Sequence, residues 1–261
     1  MASKLSISRA WDESRRILAR DGKLFASVAA ALLVLPGVVR DLSTPPAQPG
    51  HFPEPGAWMA VWLVTILVGI VGQLALARLA LADRTTVGEA IGHAGRRMPT
   101  YFLAQVIWVA PFALAMVALA GPVQEKSGPA ALAILVGFAL FVFLSIRLVL
   151  TPPVATQEAV GPLAIIKRSW DLTSGNWWRL FGFLVIFIIG AGILVLATIA
   201  IVGVIVKMIF GDFEPLTAGA LLLSLAEQIV ISGAYVIMMT MLARLYVQAA
   251  GAEASVPSSG T

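Results

Sequence analysis

From Leu180 to Val206 the chain runs for 27 residues without a charged side chain. As a helix this run is about 40 Å long at ~1.5 Å per residue, more than the hydrocarbon thickness of a bilayer. It can be a membrane-spanning helix or a helix buried deep in a soluble core. Composition separates the two. Hydrophobic residues make up 59% and charged residues 12%, against roughly 45–50% and ~25% in soluble domains. A soluble chain of 261 residues could not cover that much apolar surface. The absence of cysteine excludes disulfides and thiolate metal sites. The net charge of +4 is not a nucleic-acid signal, because the basic residues flank apolar spans instead of forming a solvated patch.

The stretch that leads into this run has its own pattern. Gly161-Pro162 opens a helix, since proline at the first helical position loses no needed donor. Leu163, Ile166 and Trp170 follow on one face, with Lys167, Arg168 and Asp171 on or near the other. Gly175 stops the helix. Trp177, Trp178 and Arg179 then stand at the entry to the span, where indole rings and a guanidinium anchor at the membrane–water boundary. The reading is a helix on the membrane surface, a turn, an anchor and a descent into lipid.

The residues Ala164 to Gly182, AIIKRSWDLTSGNWWRLFG, resemble the membrane domain of glycerophosphoryl diester phosphodiesterases, a domain that also occurs alone in bacterial multi-pass membrane proteins. The resemblance implies a six-helix membrane module. It does not imply the phosphodiesterase reaction, which belongs to a separate soluble barrel domain for which this chain of spans has no room.

Taken in order, the chain reads as an all-α polytopic bundle of six transmembrane helices. Ser6 to Asp21 is amphipathic, with Ile7, Trp11, Ser14 and Leu18 on one face. Leu24 to Val39 is apolar but short, and spans if Lys23 and Arg40 snorkel or if the preceding helix dips into the interface. The proline-rich segment Asp41 to Gly56 is an extended loop. Ala57 to Ala82 is the second span, with Trp58 and Trp62 as anchors and Gly69, Gly72 and Ala75 available for close helix contact. Thr86 and Glu89 form a capping box for a second amphipathic helix that Pro99 ends. Tyr101 to Ala120, Ala130 to Leu150, the run from Leu180, and Thr217 to about Leu245 complete the six. Thr151 to Val160 is a connector. A surface helix followed by two spans thus recurs three times, in units near 6–82, 86–150 and 161–247 of a single domain over 1–250, with 251–261 a disordered tail.

No chemistry of the familiar kinds is encoded. His51 and His93 fall on opposite sides of the membrane, and nucleophile-elbow, phosphate-loop and zinc-protease patterns are absent. Neither a catalytic residue, a metal nor a cofactor is expected. Glu227, with Gln228 beside it, is the one ionisable group well inside a span, which makes it the candidate intramembrane residue. Arg147 is its candidate partner by charge. Gln73 and Gln105 suit interhelical hydrogen bonds. Trp11, Trp170, Trp177, Trp178 and Arg179 are the interface anchors. Two functions fit. One is a non-catalytic membrane module that organises lipid, through anionic head groups at the cytoplasmic face, or a membrane protein partner. The other is a transporter or lipid translocator with a polar path near Glu227.

Orientation follows from positive charge. With a cytoplasmic N-terminus, fifteen of the eighteen Lys and Arg residues lie inside and only Arg40, Lys126 and Lys207 outside, an asymmetry that places both termini in the cytoplasm of a bacterial inner membrane. Because the chain lacks cysteine, His51→Cys, Glu125→Cys and Asp212→Cys can each be tested singly. A membrane-impermeant maleimide should label all three from the periplasm, and protection of two of them would reverse the topology.

Overall fold

The computed structural model describes residues 5–45, 54–82, 84–124, 128–211 and 217–254. Among them every regular element is helical. Six helical runs are long and apolar enough to cross a membrane. The first is α1 (Ile7–Ala29), a π-helical turn (Ala30–Val34) and α2 (Leu35–Ser43), one unbroken rod. Then come α3 (Ala57–Leu81), α4 (Val87–Gln124) and α5 (Gly128–Arg147). Two short helices follow, α6 (Thr151–Gln157) and α7 (Pro162–Thr173). The last two spans are α8 (Trp177–Phe210) and α9 (Ala218–Ala254).

The surface helix expected at the head of each unit is separate only once. In the third unit Gly161 and Pro162 open α7, and Gly175, at φ 75°, turns the chain into α8, as the glycine at that position requires. In the first unit Ser6 caps α1 by accepting from the Arg9 N–H, but the helix does not stop at Asp21. Gly22 keeps right-handed backbone and the helix runs on, because Phe25, Val28 and Ala29 beyond it are buried and repay the ~1 kcal/mol a helical glycine costs. In the second unit Thr86 and Glu89 do form the capping box, with Thr86 N–H donating to Glu89 Oε2 at 2.9 Å and Glu89 N–H to Thr86 Oγ1 at 3.3 Å. Pro99 does not end that helix. Ala94, Tyr101 and Ala104 on either side of it are buried, and their packing outweighs the lost backbone bond. At the other terminus α9 continues to Ala254, so the first residues of the expected tail are helical. Residues 255–261, like His51, Glu125 and Asp212, lie outside the described residues.

The Thr151–Val160 connector is a core element. Thr151 to Thr156 are all buried, and α6 packs against α3, α4, α7 and α9. A short buried helix leaves end groups to satisfy. Pro152 and Pro153 remove two donors at its start. At its end the α4 side chains take the carbonyls. Arg97 Nε donates to Ala155 O at 2.7 Å and Nη2 to Glu158 O at 2.6 Å and Val160 O at 3.1 Å. His93 Nε2 lies 2.8 Å from Thr156 O.

The same end of the bundle gathers the chain ends. Leu5 N–H donates to Asn176 Oδ1 (3.1 Å), Arg179 Nη1 to Leu5 O (3.1 Å), and Ser6 N–H to Gln248 Oε1 (2.9 Å). Arg244 Nε meets Glu13 at 2.7 Å. The core, centred on Phe25, Leu74, Leu76, Tyr101, Leu150, Ile165, Leu180 and Leu245, is joined to this end. Much of α8 and the far halves of α4 and α5 present apolar side chains outward, such as Ile186, Leu196, Val117 and Phe138, which in a bilayer face lipid.

The capping of α6 generates a test. Arg97→Met should lower stability in detergent by about 2–3 kcal/mol, since one charged donor group serves three carbonyls, of which Glu158 O alone has a second donor, the Val160 N–H at 2.9 Å. The exposed neighbour Arg96→Met should change it by less than about 0.5 kcal/mol. Equal effects in thermal melts would deny Arg97 its capping role.

Candidate functional site

On α9, Ser224, Gln228 and Ser232 are spaced four apart, so they share one face of the helix. All three are buried, at 8%, 4% and 3% exposure. That polar stripe meets the far end of the first helical run, where α2 carries Arg40 and Asp41. Asp41 Oδ2 accepts from Gln228 Nε2 at 2.7 Å and from Ser224 Oγ at 3.0 Å. Asp41 Oδ1 accepts from Arg40 Nε at 3.3 Å and Nη2 at 3.1 Å. The Arg40 guanidinium lies 5.7 Å from the centroid of Trp62 on α3, within cation–π range. Trp62 Nε1 donates to Thr44 Oγ1 at 2.9 Å, and that hydroxyl donates to Arg40 O at 2.7 Å. Three helices are thus knotted by one carboxylate whose charge a neighbouring arginine offsets.

Beneath this knot lies a cleft of about 270 Å³ between α2 with its π-helical turn, α3 and α9. Its walls are apolar: Leu32, Leu33, Pro36, Ile66, Ile70 and Ile231. Its polar groups are Arg40, Gln228, Ser232, Thr65, Gln73 and Tyr235. Glycines set its shape. A Cβ on Gly37 would fall 2.2 Å from Gln228 Oε1, so Gln228 reaches Asp41 across a position that only glycine leaves open. A Cβ on Gly72 would stand 3.0 Å from Leu32 Cβ, so α3 and the π-helical turn touch there. Gly69, between those levels, has nothing within 4 Å of its Cβ position and opens onto the cleft. A π-helical turn inserts one residue into the helical repeat, a device common at functional sites.

The inner end of the cleft is closed by a hydrogen-bonded thread. Tyr101 OH donates to Gln73 Oε1 at 3.3 Å, Gln105 Nε2 donates to the Tyr101 oxygen, and Trp108 Nε1 donates to Gln105 Oε1. Gln73 therefore bonds between helices, as expected from its type, whereas both partners of Gln105 lie on its own helix, α4.

Glu227 is half-buried and makes no hydrogen bond or ion pair among the described residues. Asp41 and Arg40 are the charges that act on it. The expected pairing with Arg147 is not found. Arg147 ends α5 and sits between Phe143 and Trp170, 5.7 and 4.9 Å from their ring centroids, in contact with α7 and not with the Asp41 knot. The reason is topological, because Arg147 belongs to the end that gathers α6 and α7, and Glu227 to the opposite end. Gln228, its neighbour in sequence, is the residue turned inward, since one helical position rotates a side chain by about 100°.

The anchors are also sorted by the structure. Trp178 is 76% exposed and Trp11 and Trp170 are exposed too. Trp177 instead packs on Phe181 and Phe143 and donates to Phe143 O at 3.3 Å. On α7 the buried face is Ile165, Ser169, Leu172 and Thr173, not the Leu163, Ile166 and Trp170 face. Ser169 and Thr173 hydroxyls donate to Arg147 O at 3.1 and 3.0 Å, which caps the end of α5.

The model of one family, the membrane domain of glycerophosphoryl diester phosphodiesterase, matches residues 123–261. The chain belongs to this family. No curated protein and no solved structure matches it. In this membrane-domain chain the matched half contains α5 to α9 together with the Trp-rich entry to α8, and it supplies the α9 wall of the cleft. The α2 and α3 walls lie in the other half.

No local motif in the sequence marks Asp41, Ser224, Ser232 or Tyr235. The four-residue spacing of Ser224, Gln228 and Ser232 in an apolar helix was the available signal. Gln228→Leu should destabilise the bundle by about 1–2 kcal/mol by leaving the Asp41 carboxylate short of a donor. Glu227→Gln should leave the melting temperature in detergent nearly unchanged. A larger loss from Glu227→Gln than from Gln228→Leu would reverse the roles assigned here.

Proposed function

We propose that this multi-pass membrane protein is a non-catalytic module that holds a membrane lipid in the cleft between α2, α3 and α9. One observation carries the reading: the cleft joins apolar walls to a polar end built from Arg40, Asp41 and Gln228. An amphiphile has the same two parts, and burying its chains against Leu33, Ile66 and Ile231 stabilises it by about 25 cal/mol per Å². The cleft ends against Gln73 and the wholly buried Tyr101, an arrangement that supports retention of a ligand more than its passage. The charge asymmetry supports a bacterial inner-membrane location with both termini in the cytoplasm, so the cleft would open toward the outer leaflet. A membrane protein partner would then meet a lipid-loaded bundle.

A lipid translocator is favoured by one feature only, the half-buried Glu227 beside the Arg40–Asp41 pair. The two readings part under mutation. Gly69→Phe fills the cleft from a position with free space around it. In nanodiscs carrying a photoactivatable phospholipid, it should reduce cross-linking to α3 and α9 peptides by roughly tenfold, the equivalent of about 1.4 kcal/mol, with the protein still folded. Unchanged cross-linking would refute the lipid site. Loss of lipid flip in proteoliposomes on Glu227→Gln would establish the translocator instead.

A further inference from the structure

The cleft between α2, α3 and α9 has a second polar level beneath the Asp41 knot. Ser232 stands four residues inward from Gln228 on α9, about 6 Å at ~1.5 Å per residue. Helical serines and threonines often bond back to the carbonyl one turn earlier, and Ser145 and Thr240 do so, to Phe141 O at 2.7 Å and Val236 O at 2.8 Å. Ser232 does not. Its hydroxyl has no hydrogen-bond partner among the described residues. The residue is only 3% exposed, yet its oxygen keeps accessible surface on the cleft. Tyr235 lines the same wall three residues on, and its hydroxyl is likewise accessible and without a partner among the described residues.

Across the cleft, Gln73 of α3 completes this level. Gln73 Oε1 accepts from Tyr101 OH at 3.3 Å, while its Nε2 amide has no partner among the described residues and is open to the cleft. Side chains on a helix lean toward its N-terminus. For both α3 and α9 that is the Arg40 end, where Trp62 and Gln228 stand, with Gln73 and Tyr235 further along. Tyr235 and Gln73 therefore reach back toward Ser232. Three donors converge on a space otherwise walled by Leu33, Ile70 and Ile231, and the carbonyl acceptor among them, Gln73 Oε1, is engaged by Tyr101. At membrane depth an unmet donor is costly, so the group that fits here supplies acceptors.

We infer that this level binds the ester carbonyls of a diacyl glycerolipid whose head group lies at the Arg40 end. The inference rests on the lipid reading of the same cleft and specifies which lipid it takes. An ester carbonyl accepts and never donates, so it meets the three donors without bringing a donor of its own. The ester groups of a glycerolipid lie one glycerol unit beneath the phosphate, a span comparable to the helical turn between Gln228 and Ser232. A free hydroxyl or ammonium at this depth adds a donor where acceptors are needed. An ether-linked lipid keeps the shape but lacks the carbonyls, and leaves Ser232, Tyr235 and Gln73 unmet. The volume of about 270 Å³ suits the glycerol diester region and the first chain carbons, not a whole lipid.

The test uses the full chain in detergent, cross-linked to a photoactivatable diacyl phosphatidylglycerol. The competitors are unlabelled dioleoyl phosphatidylglycerol and its diether analogue, which has the same head group and chain length. For the wild type the diether should compete about tenfold more weakly. Ser232→Ala with Tyr235→Phe should bring the diester down to the level of the diether and leave the diether unchanged. The same double variant should keep the lipid-free melting temperature of the wild type, because neither hydroxyl bonds within the chain. Gly69→Phe should reduce capture of both lipids alike. Equal competition by the two lipids in the wild type, or an equal loss for both in the double variant, would overturn ester recognition while leaving the lipid site in place. A lipid-free melting temperature lowered as far as by Gln228→Leu would overturn it too, by showing the hydroxyls bonded within the chain. Competition by neither lipid, with capture untouched by Gly69→Phe, would overturn the cleft as a lipid site altogether.

Discussion

A seven-residue helix with six of its residues buried cannot leave its end carbonyls to water, and in this protein Arg97 and His93 take them. That requirement fixes much else. For Arg97 to reach Ala155, Glu158 and Val160, the start of α4 must lie beside the end of α6. Glu158 then stands where Arg168 of α7 and Tyr246 of α9 both bond it, at 3.0 Å each. Four helices are held in register by the polar ends of one short element. The apolar core joined to them has no such direction of its own, because hydrophobic burial is non-directional and lipid competes equally for apolar side chains.

The two ends of the bundle use polar side chains differently. Near the termini, hydrogen bonds join side chains to backbone, as between Leu5 and both Asn176 and Arg179 and between Ser6 and Gln248. They pin chain ends that would otherwise fray. At the opposite end, side chains bond one another around Asp41, and the helices part beneath them. Open space at Gly69, a π-helical turn and Pro36 border the gap there, while Gly37 lets Gln228 close its top. The tightly tied end thus gives rigidity and the loosely packed end gives space, and a ligand needs both.

Legibility in the sequence followed the range of the interaction involved. The capping box of Thr86 and Glu89, the Gly161-Pro162 start and the Gly175 stop are contacts within a few residues, and all were readable. The expectation that Asp21-Gly22 and Pro99 break helices failed because local propensity, worth ~1 to ~3 kcal/mol, is smaller than the burial of the residues around them. Glu227 drew notice as the lone intramembrane charge, yet the inward position is Gln228. Helical phase could be read only by treating the Ser224, Gln228 and Ser232 spacing as the buried stripe. Asp41 opens the proline-rich segment that reads as a loop, so its place in the knot has no local signal.

The sequence by itself determined the membrane setting, the six apolar helical runs and the family, because these depend on hydrophobicity summed along the chain and on a contiguous motif. It determined where glycine and tryptophan stand, but not what they serve. Only the tertiary structure decided that Thr151 to Gln157 is a core helix, that Arg147 faces Trp170 and not Glu227, and that Asp41 joins α2 to α9. Each of these is a contact between side chains far apart in the chain. In a bilayer, where every span is apolar, helix pairing rests on a few polar and small residues whose partners are fixed by rotation and depth, and neither quantity is written in any one segment.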